Sequence, residues 1–96
     1  MKDSIYLCTL FDYYGDLLTD KQKEYFRDYY FDNLSLSEIS ENNNISRNAV
    51  HKTLKEAEEK LLYYEQVLQL LNKSNKIKEI IREVDDNIKE EINKLI

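Results

Sequence analysis

SLSEISENNNISRNAVHKTLK, residues 35–55, is the stretch that decides the fold. Ser35 followed three residues later by Glu38 is a capping box, which starts a helix. Leu36 and Ile39 lie on its inner face. Asn42-Asn43-Asn44 ends it, because Asn tolerates the left-handed backbone better than most residues that carry a side chain. Ser46 then caps a second helix, and Ile45 just before it is expected to plug the core. Val50 and Leu54 hold the second helix against the first. Ser40, a small residue, allows the two to approach closely. Two helices, a short turn and an outward-facing second helix are the anatomy of a helix-turn-helix. An ordinary helical hairpin has the same apolar spacing and stays open as the plainer alternative.

In this geometry Arg47, Asn48, His51, Lys52 and Lys55 face outward at the start of the second helix. Arg, Asn and Lys at those positions can reach base edges in a major groove. Residues 43–55 carry three Lys/Arg and no acid, in a chain of net charge −5. Glu56, Glu58 and Glu59 follow directly, where a phosphate backbone would be repelled. Three basic residues per copy fall short of the roughly six to ten phosphate contacts of a well-bound duplex site. A dimer could supply the rest, and a plain solvated face is the bland alternative. These five residues are the candidate nucleic-acid or partner-binding site.

The flanking segments extend the helical pattern. Towards the N-terminus, Leu7, Leu10, Phe11 and Tyr14 share one face of a helix over residues 3–14. Gly15 stands where a helix end calls for positive φ. Thr19 and Gln22 form a second capping box and open a helix to about Asp32, with a turn at Asn33-Leu34. Towards the C-terminus, Val50, Leu54, Ala57, Leu61, Tyr64, Leu68 and Leu71 recur at alternating four and three, a heptad seam on a helix to about Leu71. The phase breaks at Asn72-Lys73-Ser74-Asn75, with Ser74 as a candidate cap. Ile77, Ile81, Val84, Ile88, Ile92 and Leu95 then mark one last helix.

Helices of about 25 and 20 residues would span roughly 38 and 30 Å. A small domain cannot easily cover both stripes. Leu61, Tyr64, Leu68, Leu71, Ile81, Val84 and Ile88 are therefore the candidate self-association seam, and a homodimer is expected. A hairpin folded back on the first helices is the alternative.

Composition agrees with an all-α chain. With 96 residues, it fits one helical domain: N-terminal helices in 1–34, the helix-turn-helix in 35–55 and a helical extension in 56–96. It has no Pro and one Gly, which leaves little material for hairpins and irregular loops. The lone Cys8 cannot form an internal disulfide and reads as a small buried hydrophobe in a cytoplasmic protein. No apolar run is long enough for a membrane span. Cys8 and His51 are the only soft metal ligands and lie far apart, so no metal or other cofactor is expected. One Gly excludes a phosphate-cradling loop, and no nucleophile–base arrangement supports catalysis, so the chain is read as not an enzyme. Nine of its eleven aromatic residues lie in the first 31. Tyr25, Phe26, Tyr29 and Tyr30 recur at helical spacing, which favours core packing over a base-stacking platform.

The motifs LLTDKQKEYFRDYYFDNLSLSEI and ISRNAV, with the acidic helix through LLYYE, resemble the bacterial YlxM family over essentially the whole chain. Residues 19–61 are also similar to region 4 of sigma factors, although region 4 continues basic after its recognition helix and this chain does not. The YlxM resemblance implies a small helix-turn-helix protein of Gram-positive-type bacteria. It also implies a non-enzymatic accessory or regulatory factor of the signal recognition particle pathway. Its partners would be the particle's GTPase, its RNA, or both. The sigma-like part keeps a duplex-DNA-binding transcriptional regulator as the second reading.

Overall fold

A computed structural model describes residues 3–96. Among them the chain forms α1 (Ser4–Tyr14), a 3₁₀ turn (Gly15–Leu17), α2 (Asp20–Tyr30), α3 (Leu36–Asn43), α4 (Arg47–Leu68), α5 (Leu70–Ile80) and α6 (Asp86–Asn93). It is an all-α helix-turn-helix protein.

The capping residues set most helix starts. Asp3 accepts from the backbone N–H groups of Ile5 and Tyr6. Thr19 with Gln22, and Ser35 with Glu38, form complete capping boxes. Ser46 accepts from Ala49 N. Each such cap contributes about 1 kcal/mol by satisfying N–H groups that the helix cannot.

α4 is the spine. Val50, Leu54, Ala57 and Leu61 form its buried stripe, against Leu7, Leu10, Phe11 and Tyr14 of α1, Tyr25 and Phe26 of α2, and Ile39 of α3. Phe11 stacks on Phe26 with ring centroids 4.7 Å apart and planes 1° from parallel. Ser40 is buried, so a small residue does sit where α3 meets α4.

Several local expectations are corrected. Gly15 is right-handed, at φ −56°. Its requirement is space: an added Cβ would stand 3.0 Å from Cε2 and Cζ of Phe11. Ile45 is 38% exposed rather than a core plug, and Cys8 is only partly buried.

The long helix ends at Leu68, not near Leu71. Gln69 takes the left-handed conformation at φ 55°, and Asn72–Asn75 lie inside α5. Ser74 is no cap. It is 2% exposed in mid-helix, and its hydroxyl has no hydrogen-bond partner among the described residues. The last periodic stretch is not one helix either. α5 stops at Ile80, and Asp85 caps the separate α6 through Asn87 N. Lys89 Nζ donates to the Arg82 carbonyl at 2.6 Å, tying α6 back to the end of α5. This C-terminal arm gives the molecule an elongated outline of 53 × 24 × 24 Å.

Candidate nucleic-acid interface

Val50 and Leu54 turn one side of α4 into the core, against Ile39 of α3. That leaves the other side to solvent from its first residue. Arg47, Asn48, His51, Lys52 and Lys55 are all exposed there. Arg47, His51 and Lys55 follow one line at four-residue steps, and Asn48 and Lys52 follow a second beside it. Among the described residues, none of Arg47, Lys52 and Lys55 is held in an ion pair. Their charges therefore face solvent, with no ion pair to neutralise them among the described residues. The first turn of α4 also carries no acid, so the helix's positive end adds to the same field.

The site is also concave. Leu36, Ser46, Arg47, Asn48 and His51 line a shallow depression between the starts of α3 and α4. Tyr29, Leu36, His51, Leu54, Lys55 and Glu58 line a second one against the end of α2. Leu36 and His51 belong to both, so the two run together along the edge of α4. Sequence reasoning missed Leu36, Tyr29 and Glu58 here. Tyr29 shares its spacing with buried Tyr25, and only the placement of α2 beside α4 shows that it lies at the edge of the packed face.

The acids after the basic turns are not equivalent. Glu58 is half-buried and accepts a hydrogen bond from the Tyr30 hydroxyl. Burial, and then this bond, push the Tyr30 hydroxyl well above its ordinary pKa, so it stays a donor at neutral pH. Glu56 and Glu59 remain exposed at the far end of the face. Together they confine positive potential to the first two and a half turns or so of α4.

The expected self-association seam is largely used within the chain. Leu61 is fully buried and Ile81 nearly so. Tyr64 and Leu71 pack on the central core, and Val84 is half-buried. Leu68 and Ile88 are the two of the seven left exposed. Cys8 is no candidate nucleophile: burial first and Asp12 second push its thiol up, which suppresses the thiolate. No described group of three or more His, Cys, Asp or Glu side chains is arranged to hold a metal ion. No helix among the described residues is long and apolar enough to cross a membrane.

Comparison with known families matches residues 1–96 to the model described as "Putative helix-turn-helix protein, YlxM / p13 like", UPF0122. The chain belongs to this family. Similar UPF0122 proteins include one from Malacoplasma penetrans, 47% identical over 78 residues that cover 81% of this chain and 73% of the relative. Another, from a Thermoanaerobacter species, is 47% identical over 91 residues, covering 84% and 78%. A third, from Clostridium acetobutylicum, is 41% identical over 88 residues, covering 92% and 76%. The UPF0122 family match and the packing of α3 on α4 agree on the helix-turn-helix, which resolves the hairpin alternative.

Proposed function

We propose that this chain is a non-enzymatic factor that binds a ribonucleoprotein, with the outer face of α4 as its contact surface. One observation carries the proposal. Arg47, Asn48, His51, Lys52 and Lys55 stand together, exposed and with no ion pair among the described residues, on the helix that a helix-turn-helix uses for reading. A polyanion complements such a patch, and acids at its far end favour a short contact over a long duplex track. The YlxM resemblance points to the signal recognition particle, its GTPase and RNA, and to an accessory or regulatory role in a cytoplasmic targeting pathway. Two copies joined through the C-terminal arm would double the basic surface. Ile80, Ile88 and Leu95 expose apolar surface on that arm.

The test is fluorescence anisotropy of the labelled protein titrated with the particle GTPase, with and without its RNA. Saturable binding at micromolar concentration or tighter is expected, about −8 kcal/mol or better. Arg47→Glu with Lys52→Glu should weaken it at least about tenfold without changing thermal stability, since both residues are exposed. Unchanged affinity in that double variant would overturn the assignment of the surface.

The packing of α3 on α4 favours a second reading, a dimeric transcriptional regulator on duplex DNA. Sequence-selective duplex binding with no affinity for the particle would put that reading first.

A further inference from the structure

The second depression beside α4 offers more than charge. It has a volume of about 300 Å³, at the lower end for small-ligand sites. The Tyr29 ring forms one wall and is 40% exposed. It makes a T-shaped pair with Tyr30, with ring centroids 5.1 Å apart and planes at 80°. Tyr30 is itself fixed, by its hydrogen bond to Glu58 and by stacking on Phe26. The Tyr29 ring is thus braced against Tyr30 and partly open to solvent. Leu36 and Leu54 complete an apolar lining suited to a flat, uncharged group.

The charges decide which end of a nucleotide enters. Glu58 lines the slot and Glu59 follows it on α4, and both repel phosphate. His51 and Lys55 also line it, are more exposed than Glu58, and continue into Arg47 and the basic face. A nucleotide is therefore accommodated with its base in the slot and its phosphates along Arg47, Lys52 and Lys55. A base inside a continuous duplex is already stacked on its neighbours and cannot turn its face to Tyr29. We propose that the slot takes one unstacked nucleobase from a single-stranded or looped nucleic acid, with Tyr29 as the stacking platform. The inference rests on the reading of α4 as a polyanion-binding face. It adds the ligand class: a strand with unpaired bases, bound by stacking and backbone contacts.

The test is anisotropy at fixed salt with a single-stranded RNA of about 12 nucleotides, the DNA strand of the same sequence, and the matching DNA duplex. The single strands should bind at least about fivefold tighter than the duplex. A gap between RNA and DNA would identify which source supplies the base. Tyr29→Ala should weaken single-strand binding about tenfold, as expected for losing one base–aromatic stack. Tyr29→Phe should restore it, and duplex binding should not move.

Duplex binding as tight as single-strand binding would overturn the slot, as would unchanged single-strand affinity in Tyr29→Ala. If Arg47→Glu with Lys52→Glu still weakens binding in that case, the charged face survives without the slot. If those reversals also do nothing, the proposed function itself falls. Photocrosslinking of the unaltered protein to a 4-thiouridine strand covers any folding defect in Tyr29→Ala. Adducts on Tyr29 or His51 support the slot, and adducts confined to other elements overturn it.

Discussion

The Tyr14 hydroxyl donates a 2.7 Å hydrogen bond to Oε1 of Glu65, joining α1 to α4 across 51 positions of sequence. The pair then builds the start of α5. Glu65 accepts from the backbone N–H groups of Leu71 at 3.1 Å and Asn72 at 3.0 Å. The Tyr14 oxygen accepts from Leu70 N at 3.0 Å. Gln69, at the N-cap position, offers no side-chain cap. A carboxylate from the preceding helix and a phenol from the first one therefore satisfy the orphan N–H groups of α5. The negative charge at that helix end is favourable as well. These bonds offset the roughly 1–2 kcal/mol that a left-handed Gln69 costs.

Glu65→Gln keeps the size of the side chain but loses the charge and one of its acceptor oxygens. It should destabilise the protein by about 1–3 kcal/mol, with Tyr14→Phe costing about the same. Because both act in one network, the double variant should lose less than the sum. Urea unfolding of the three variants checks this, and full additivity would show the two residues to be independent.

Acid should weaken the same junction. Burial alone raises the Glu65 pKa, but the hydrogen bonds from Tyr14, Leu71 and Asn72 outweigh it and hold the carboxyl below its ordinary 4.5. A carboxyl with a depressed folded-state pKa contributes stability above its unfolded value and loses it as pH falls through the folded value. The stability gap between the unaltered protein and Glu65→Gln should therefore be constant near neutral pH and narrow below about 4.5. A gap independent of pH down to acid unfolding would show that Glu65 is not held by these bonds. At the other end, burial first and the bond to Glu65 second push the Tyr14 hydroxyl up to about 12. Its contribution is complete below the ordinary value of 10 and fades as pH climbs towards 12.

Gly15→Ala tests the close packing beneath α1. The backbone there suits alanine, so no dihedral strain arises. The new methyl would press on Phe11, whose ring cannot retreat because it stacks on Phe26 at 4.7 Å. A loss of about 1–3 kcal/mol is expected in thermal or urea unfolding, as for other overpacked cores. A stabilised Gly15→Ala protein would show that the Phe11 ring yields freely.

Binding through the outer face of α4 should show a shallow salt dependence. Arg47, Lys52 and Lys55 allow at most three phosphate contacts per copy. For a single strand that gives a slope of about −2 in log affinity against log salt. A slope near −6 or steeper would require a second copy or a basic surface outside α4.

Much of this protein was legible in its sequence because the deciding signals are local. Ser35 with Glu38, Thr19 with Gln22, and Ser46 set their helix starts through contacts three residues away. Asn44 ends α3 in the left-handed conformation, at φ 55°, for reasons contained in its own side chain. The four-and-three spacing of Val50, Leu54, Ala57 and Leu61 fixed the buried side of α4, and with it the exposed side that carries Arg47, His51 and Lys55.

Tertiary structure decided what depends on a distant partner. The heptad pattern runs on past Leu68, yet α4 stops there because Tyr14, from the other end of the chain, joins Glu65 in capping a new helix. The same packing uses Leu61, Tyr64 and Leu71 within the chain, where the pattern alone would equally serve a second copy. Tyr29 and Tyr25 are equivalent by periodicity. Only the packing of α2 against α4 buries one and leaves the other beside His51, since a period specifies a face and not what lies against it.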